Sequence, residues 1–267
     1  MRKLMMATAL SGALVMGLAA CSDGADTEAA PEHTYAPGDY MLAINDIARS
    51  DDLEADATRL PGELLAFAQI DRGEVVGDYI MGGGYVTRLL AVAVGSDGKV
   101  YAFQPDEFIA FRPEYADEQA DTVRRYADND GNPVNVIPLN GPVASPPWPE
   151  PLDTIITVMN FHDLYIPEMP EGTGDTGVQS LYDALKPGGT LVVIDHSAVD
   201  GTGTDSTGDT HRIDRQTAID ALEAVGFTLE EESDLYAHPD DPRTANVFDE
   251  AIRGRTDQFA LRLRKPE

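Results

Sequence analysis

VVGDYIMGGGYVTRLLAVAVGSDGKVYAF, residues 75 to 103, reads as a strand, a glycine-rich turn, a helix and a second strand. Residues 75–81 form an apolar run short enough for a buried strand. Gly82, Gly83 and Gly84 follow, and a stretch without Cβ atoms lets backbone come close to a ligand. Residues 85–94 carry apolar side chains at helical spacing, residues 95–98 (GSDG) make a turn, and residues 100–103 open the next strand. This is a βαβ start, a unit that places small-molecule cofactors at its turn. Two such cofactor classes are excluded. The nicotinamide fingerprint G-x-G-x-x-G needs glycine at position 87, which is Thr87, and no glycine-lysine-serine or glycine-lysine-threonine follows to make a phosphate loop.

Outward from this unit the chain keeps alternating. Upstream, the apolar residues of 41–70 predict one or two helices broken near Pro61. Downstream, residues 106–129 are helix and loop interrupted by Pro113, 134–138 a third strand, 141–151 (GPVASPPWPEP) an extended loop, and 152–159 a fourth strand. Residues 176–186 predict a helix stopped by Pro187-Gly188-Gly189, and 190–195 (TLVVID) a buried fifth strand. A Gly, Thr and Asp loop at 198–209 leads to a helix at 215–225 and a strand at 227–231. A polar excursion over 236–254, with a short helix near 247–252, precedes a last strand in which Phe259, Leu261 and Leu263 alternate with polar residues. Seven strands interleaved with helices imply an α/β fold, a mostly parallel sheet with helices on both faces.

The N-terminus is read separately. Arg2 and Lys3 precede an uncharged apolar stretch ending in Leu18-Ala19-Ala20-Cys21, the pattern of a bacterial lipoprotein signal. Cleavage would leave Cys21 as a lipidated N-terminus, followed by a proline-bearing acidic tether. The expected organisation is signal peptide 1–20, tether 21–40 and one domain over 41–267. The expected location is the cell envelope, membrane-anchored by lipid and facing the periplasm. Ser22 after the cysteine favours the outer membrane. Cys21 is the only cysteine, so disulfides, thiol nucleophiles and thiolate metal sites are absent from the domain. The formal charge of −28 repels phosphate backbones and argues against a nucleic-acid partner.

The order of elements closing on LKPGGTLVVID, a helix and two strands resembles class I S-adenosylmethionine-dependent methyltransferases. The GGGY turn (82–85), the GKVYA strand (98–102), NFHDLY (160–165) and the DDPRT…DQF stretch (240–259) are similar to a bacterial group of predicted methyltransferases. The resemblance spans about residues 43–266. It implies the Rossmann-like class I methyltransferase fold and S-adenosylmethionine as cofactor, held by Asp78, Gly82, Gly83, Gly84, Tyr85, Gln104, Asn140 and Asn160. Two positions depart from the pattern. Ile80 stands where the first glycine is usual, and Gln104 where an acid usually accepts from the ribose hydroxyls.

Strand ends supply the candidate chemistry. Residues 160–163 (NFHD) follow the fourth strand, Asp195 and His196 end the fifth, and His211 follows; ligands in open α/β sheets sit beyond these ends. Methyl transfer to a small-molecule acceptor needs alignment and, for a hydroxyl or ammonium, a base. His162 is the expected base and Asp163 its orienting group. Asp163, Asp195, His162 and His196 include metal-ligand types, but no magnesium-like acidic pattern is present and no metal is assigned. The second functional reading is a membrane-anchored, methyltransferase-like binding lipoprotein with a reduced site, favoured by export away from the cytoplasm where the donor is made.

Overall fold

Successive residues of each central strand face opposite sides of the sheet, and each side finds its own helices. The computed structural model describes residues 34–131 and 134–267, with the fold contained in a compact unit, Tyr35–Glu267. The expected signal peptide, Cys21 and most of the expected tether lie outside the described residues. The tail of the expected tether belongs to the unit: Tyr40 is buried and its hydroxyl donates to Ile70 O at 2.9 Å.

The elements run α1 (Leu53–Arg59), α2 (Pro61–Ala68), β1 (Val75–Tyr79), α3 (Tyr85–Ala93), β2 (Lys99–Pro105), α4 (Asp106–Phe111) and α5 (Glu114–Arg125). Then come β3 (Val136–Gly141), β4 (Leu152–Val158), α6 (Thr173–Ala184), β5 (Leu185–His196), α7 (Arg215–Ala224), β6 (Thr228–Ser233) and β7 (Gln258–Arg264). The sheet order is β3-β2-β1-β4-β5-β7-β6. β1 to β5 are parallel, and β7 runs antiparallel to both β5 and β6. This is the expected seven-stranded sheet of the Rossmann-like methyltransferase fold.

One core holds Tyr79, Phe103, Ile155 and Val193 with Leu181 of α6 and Leu222 of α7. The other holds Val76, Ala102, Ile156 and Val192 with Leu65 of α2 and Leu89 of α3. Fully burying one such aliphatic or aromatic side chain contributes about 1.5–3 kcal/mol, so the two layers fix strand register and sidedness together.

Four expectations are corrected. The first strand ends at Tyr79 rather than Met81, because Ile80 adopts φ 65° and turns the chain out of the sheet. The helix before Pro187 ends at Ala184, and β5 begins at Leu185, which pairs with Leu152. Residues 247–252 form turns rather than a helix. The excursion is held instead by Arg212, fully buried, which pairs with Asp241 at 2.9 Å and donates to Ala245 O and Ser197 O at 3.0 Å each. The alternation in β7 is also broken: Arg262 is buried and pairs with Glu230 and Glu231.

Candidate active site

The strand order reverses between β1 and β4, and a crevice opens beyond the carboxyl ends of strands at such a point. Here it is a cavity of about 700 Å³, within the range of small-molecule sites. Asn160 ties the two strand ends together, its amide nitrogen donating to Ile80 O at 3.0 Å and to Val158 O at 2.8 Å.

One wall is the glycine turn, where Asp78, Ile80, Gly82, Gly83 and Tyr85 line the cavity. Gly82 has φ 52° and a Cβ added there would meet nothing within 4 Å, so its backbone faces open space. Gly84 is behind the wall rather than on it. It caps α3 with φ 77°, and a Cβ there would collide with Thr122 Oγ1 and Arg88 Nη1. Arg88 in turn grips Asp52 through Nε at 2.7 Å and Nη2 at 2.6 Å, which clamps the N-terminal helices over the turn. Asp78 is buried and accepts from Thr87 Oγ1 at 2.5 Å; burial raises its carboxyl to about 6 despite that bond. Tyr85 donates to Asp56 at 2.6 Å, and the Arg59 guanidinium lies 4.7 Å from its ring centroid. Arg59 lines the cavity and forms no ion pair among the described residues.

The opposite wall is built from histidines. His162, His196, His211 and His238 all line the cavity, four of the five in the chain. His162 follows β4 and is buried. Its Nδ1 lies 2.9 Å from Asp195 Oδ1, while its backbone N–H donates to Asp195 Oδ2 at 2.6 Å. Its Nε2 is 3.3 Å from His211 Nδ1 and 3.3 Å from Asp163 Oδ1. Burial opposes a charge on His162, but the Asp195 carboxylate outweighs it and carries the imidazole up to about 9. Burial lifts Asp163 to about 6, against the pull of His162 and with the push of Asp195. His196, beside Thr256 Oγ1 at 3.0 Å, is lowered by burial to about 4, and His211 is lowered too, by burial and by His162.

The expected pairing is thus redrawn. Asp195 orients His162 through Nδ1, and Asp163 faces the other nitrogen. A base poised near neutrality is also not what the free chain holds, since the His162–Asp195 pair favours the charged imidazole. Gln104 and Asn140 do not line the cavity. Gln104 is fully buried with neither amide atom hydrogen-bonded, and Asn140 donates to Gln104 O at 2.9 Å. Trp148, in the proline-rich loop, packs on Phe103 at 5.4 Å between centroids. Asp241 and Arg243, in the stretch 240–259, are held in ion pairs: Asp241 with Arg212, and Arg243 with Asp200 at 2.9 Å and Asp257 at 2.8 Å. His238 and Arg59 were not singled out by sequence, and only tertiary placement reveals them.

Of the six left-handed non-glycine residues among those described, three line the cavity: Ile80 (φ 65°), Met159 (φ 61°) and His211 (φ 55°). Leu60, Gln69 and Arg243 do not. Such residues cost about 1–3 kcal/mol each and persist where surrounding structure over-determines them.

No family model matches the chain, and no curated protein matches it in sequence. Solved structures match its fold. The N-methyltransferase NodS from Bradyrhizobium japonicum WM9 aligns at TM-score 0.53 and 16% identity, over 82% of this chain and 99% of that one. A SAM-dependent methyltransferase from Aquifex aeolicus aligns at TM-score 0.50 and 18% identity, over 86% and 98%. The cyclase SpnF aligns at TM-score 0.51 and 19% identity, over 79% and 81%. These likenesses establish the fold, which the chain shares with methyltransferases and with an enzyme named for a different reaction.

Proposed function

We propose that this chain is an S-adenosylmethionine-dependent methyltransferase acting on a small molecule. The observation that carries this reading is a single cavity whose one wall is the glycine turn and whose other wall carries His162 and Asp163. The residues present fit the cofactor: Gly82 leaves a cradle that a Cβ would enter, and Asp78 and Arg59 offer opposite charges at that wall for an ammonium and a carboxylate. S-adenosylmethionine supplies an electrophilic methyl on a sulfonium sulfur. The chain's own part is alignment. Gly82, Gly83 and Tyr85 would hold the adenosyl end, Asn160 fixes the spacing between the β1 and β4 ends, and His162 and Asp163 meet the acceptor. Asp195 keeps the His162 ring in one orientation, with Nε2 towards His211 and Asp163.

The acceptor is a small molecule because both reactants share about 700 Å³, and the charge of −28 disfavours a nucleic acid. We further infer that Cys21 carries lipid and tethers the domain to a membrane facing the periplasm. Mass spectrometry of the mature N-terminus should find acylated Cys21; an intact Met1 would contradict the anchor. No helix among the described residues is long and apolar enough to cross a membrane.

Calorimetric titration of the full chain with S-adenosylmethionine or S-adenosylhomocysteine tests the reading. One site of micromolar affinity is expected, and no heat at about millimolar ligand would remove the enzyme. In an acceptor screen, His162→Ala should lower turnover far more than donor affinity. Equal losses would make His162 structural.

A further inference from the structure

We infer that the histidine wall is a site for one zinc-like divalent ion, with His162 Nε2, His211 Nδ1 and Asp163 Oδ1 as its protein ligands. The donor atoms are already spaced for it. Both His162 Nε2 to His211 Nδ1 and His162 Nε2 to Asp163 Oδ1 are 3.3 Å, and all three atoms lie within 4.8 Å of one another. Ligands about 2.0–2.2 Å from a tetrahedral ion stand about 3.4 Å apart, so an ion fits between these atoms with little side-chain movement.

A second feature points the same way. The remaining nitrogen of His162 is held by Asp195 at 2.9 Å, and Asp195 is fully buried. A carboxylate on the far nitrogen fixes the ring so that Nε2, once an ion displaces its proton, presents its lone pair, which is the usual support behind a metal-bound histidine. His211 is also held, in a left-handed conformation with φ 55°. The turn that carries it is tied to the excursion by Val247 N–H donating to Thr210 O at 3.2 Å and by Asn246 Nδ2 donating to Asp209 O at 2.8 Å. The His211 ring also packs edge-on against Phe248 at 5.0 Å between centroids, which holds the imidazole facing His162.

Two imidazoles and one carboxylate select zinc, cobalt or iron over magnesium, which prefers oxygen donors. Three protein ligands leave a coordination position open, and these residues line the cavity, so the open position is available to an acceptor carrying a hydroxyl or thiol. With the ion present, His162 meets the acceptor through it. The inference rests on donor atoms alone and stands whether or not a methyl donor binds.

The test is a cobalt(II) titration of the chelator-treated full chain, followed by displacement with zinc. One equivalent is expected, with the intense visible absorption of tetrahedral cobalt. His211→Ala and the near-isosteric Asp163→Asn should each weaken binding about 100-fold or more, and Asp195→Asn about 10–100-fold. His238→Ala, which removes a cavity histidine outside the set, should leave affinity unchanged. Absence of binding at about millimolar cobalt, or equal losses in the His238 and His211 variants, would overturn the assignment. Thermal melts of Asp163→Asn distinguish lost ligation from lost folding: an unchanged melt with unchanged affinity also contradicts it.

Discussion

The two ends of the sheet treat charge in opposite ways. At the amino-terminal end, Lys99 pairs with Glu150 at 2.5 Å and Lys186 with Asp153 at 2.7 Å, with each lysine side chain more than 40% exposed. At the carboxyl end, Asp78, His162 and Asp195 are at most 3% exposed, and three non-glycine residues are left-handed. An edge that has only to be stable keeps its charges in water, where they cost little and contribute little. The other end holds charge out of water and backbone out of its preferred regions, an arrangement that opposes stability and pre-forms a site.

The sharpest test of this contrast makes the same change at both ends. Asp195→Ala strips the partner from buried His162 and should cost about 3–5 kcal/mol. Asp153→Ala removes a partly exposed pair and one bond from Val75 N–H, and should cost about 1–2 kcal/mol. Urea unfolding of both variants measures the difference, and equal losses would erase the distinction between the ends.

Acidity gives the next test. Asp78 titrates near 6 when folded, above its ordinary 3.8, so the native state holds a proton that the unfolded chain releases. Stability should therefore fall as pH rises from about 4 to about 6, by about 2–3 kcal/mol from this group, and Asp78→Asn should flatten that window. Glu74 is where the contrast is weakest. It sits at the amino-terminal end, yet burial, with Asp153 and Asp71 adding, raises it to about 7. Glu74→Gln should remove a drift of the same sign between about pH 4.5 and 7. A drift untouched by either substitution would place the pH dependence elsewhere.

The smallest expected effect concerns strain. At φ 65° a Cβ is disfavoured, so Ile80→Gly should be more stable than Ile80→Ala by about 1 kcal/mol, the reverse of their order in an ordinary strand or helix. Thermal denaturation of the pair decides it, and the ordinary order would mean that Ile80 is not strained.

How much of this was legible in sequence follows from the range of each interaction. The β1–turn–α3–β2 unit was, because apolar runs and glycines act within a few residues. The break at Pro61 was legible for the same reason. The partner of His162 was not, since Asp195 is 33 residues away and meets it only because β4 and β5 are neighbours. His238 sits on a segment without periodicity, beside the buried Arg212–Asp241 pair. His211 was legible as following the strand ends, but its approach to His162 Nε2 was not. The roles carried over to Gln104 and Asn140 rested on strand-end position, which names the strand but not where its last side chain points.

The claim on which the function rests is that the adenosyl donor lies against the bare backbone of Gly82 and Gly83. A crystal structure of the chain with S-adenosylhomocysteine tests it directly. The expected result is adenosyl density along residues 82–85 with the sulfur directed towards His162 and Asp163. Density at another surface, or a turn in which Ile80 and Met81 fill the cavity, would contradict it.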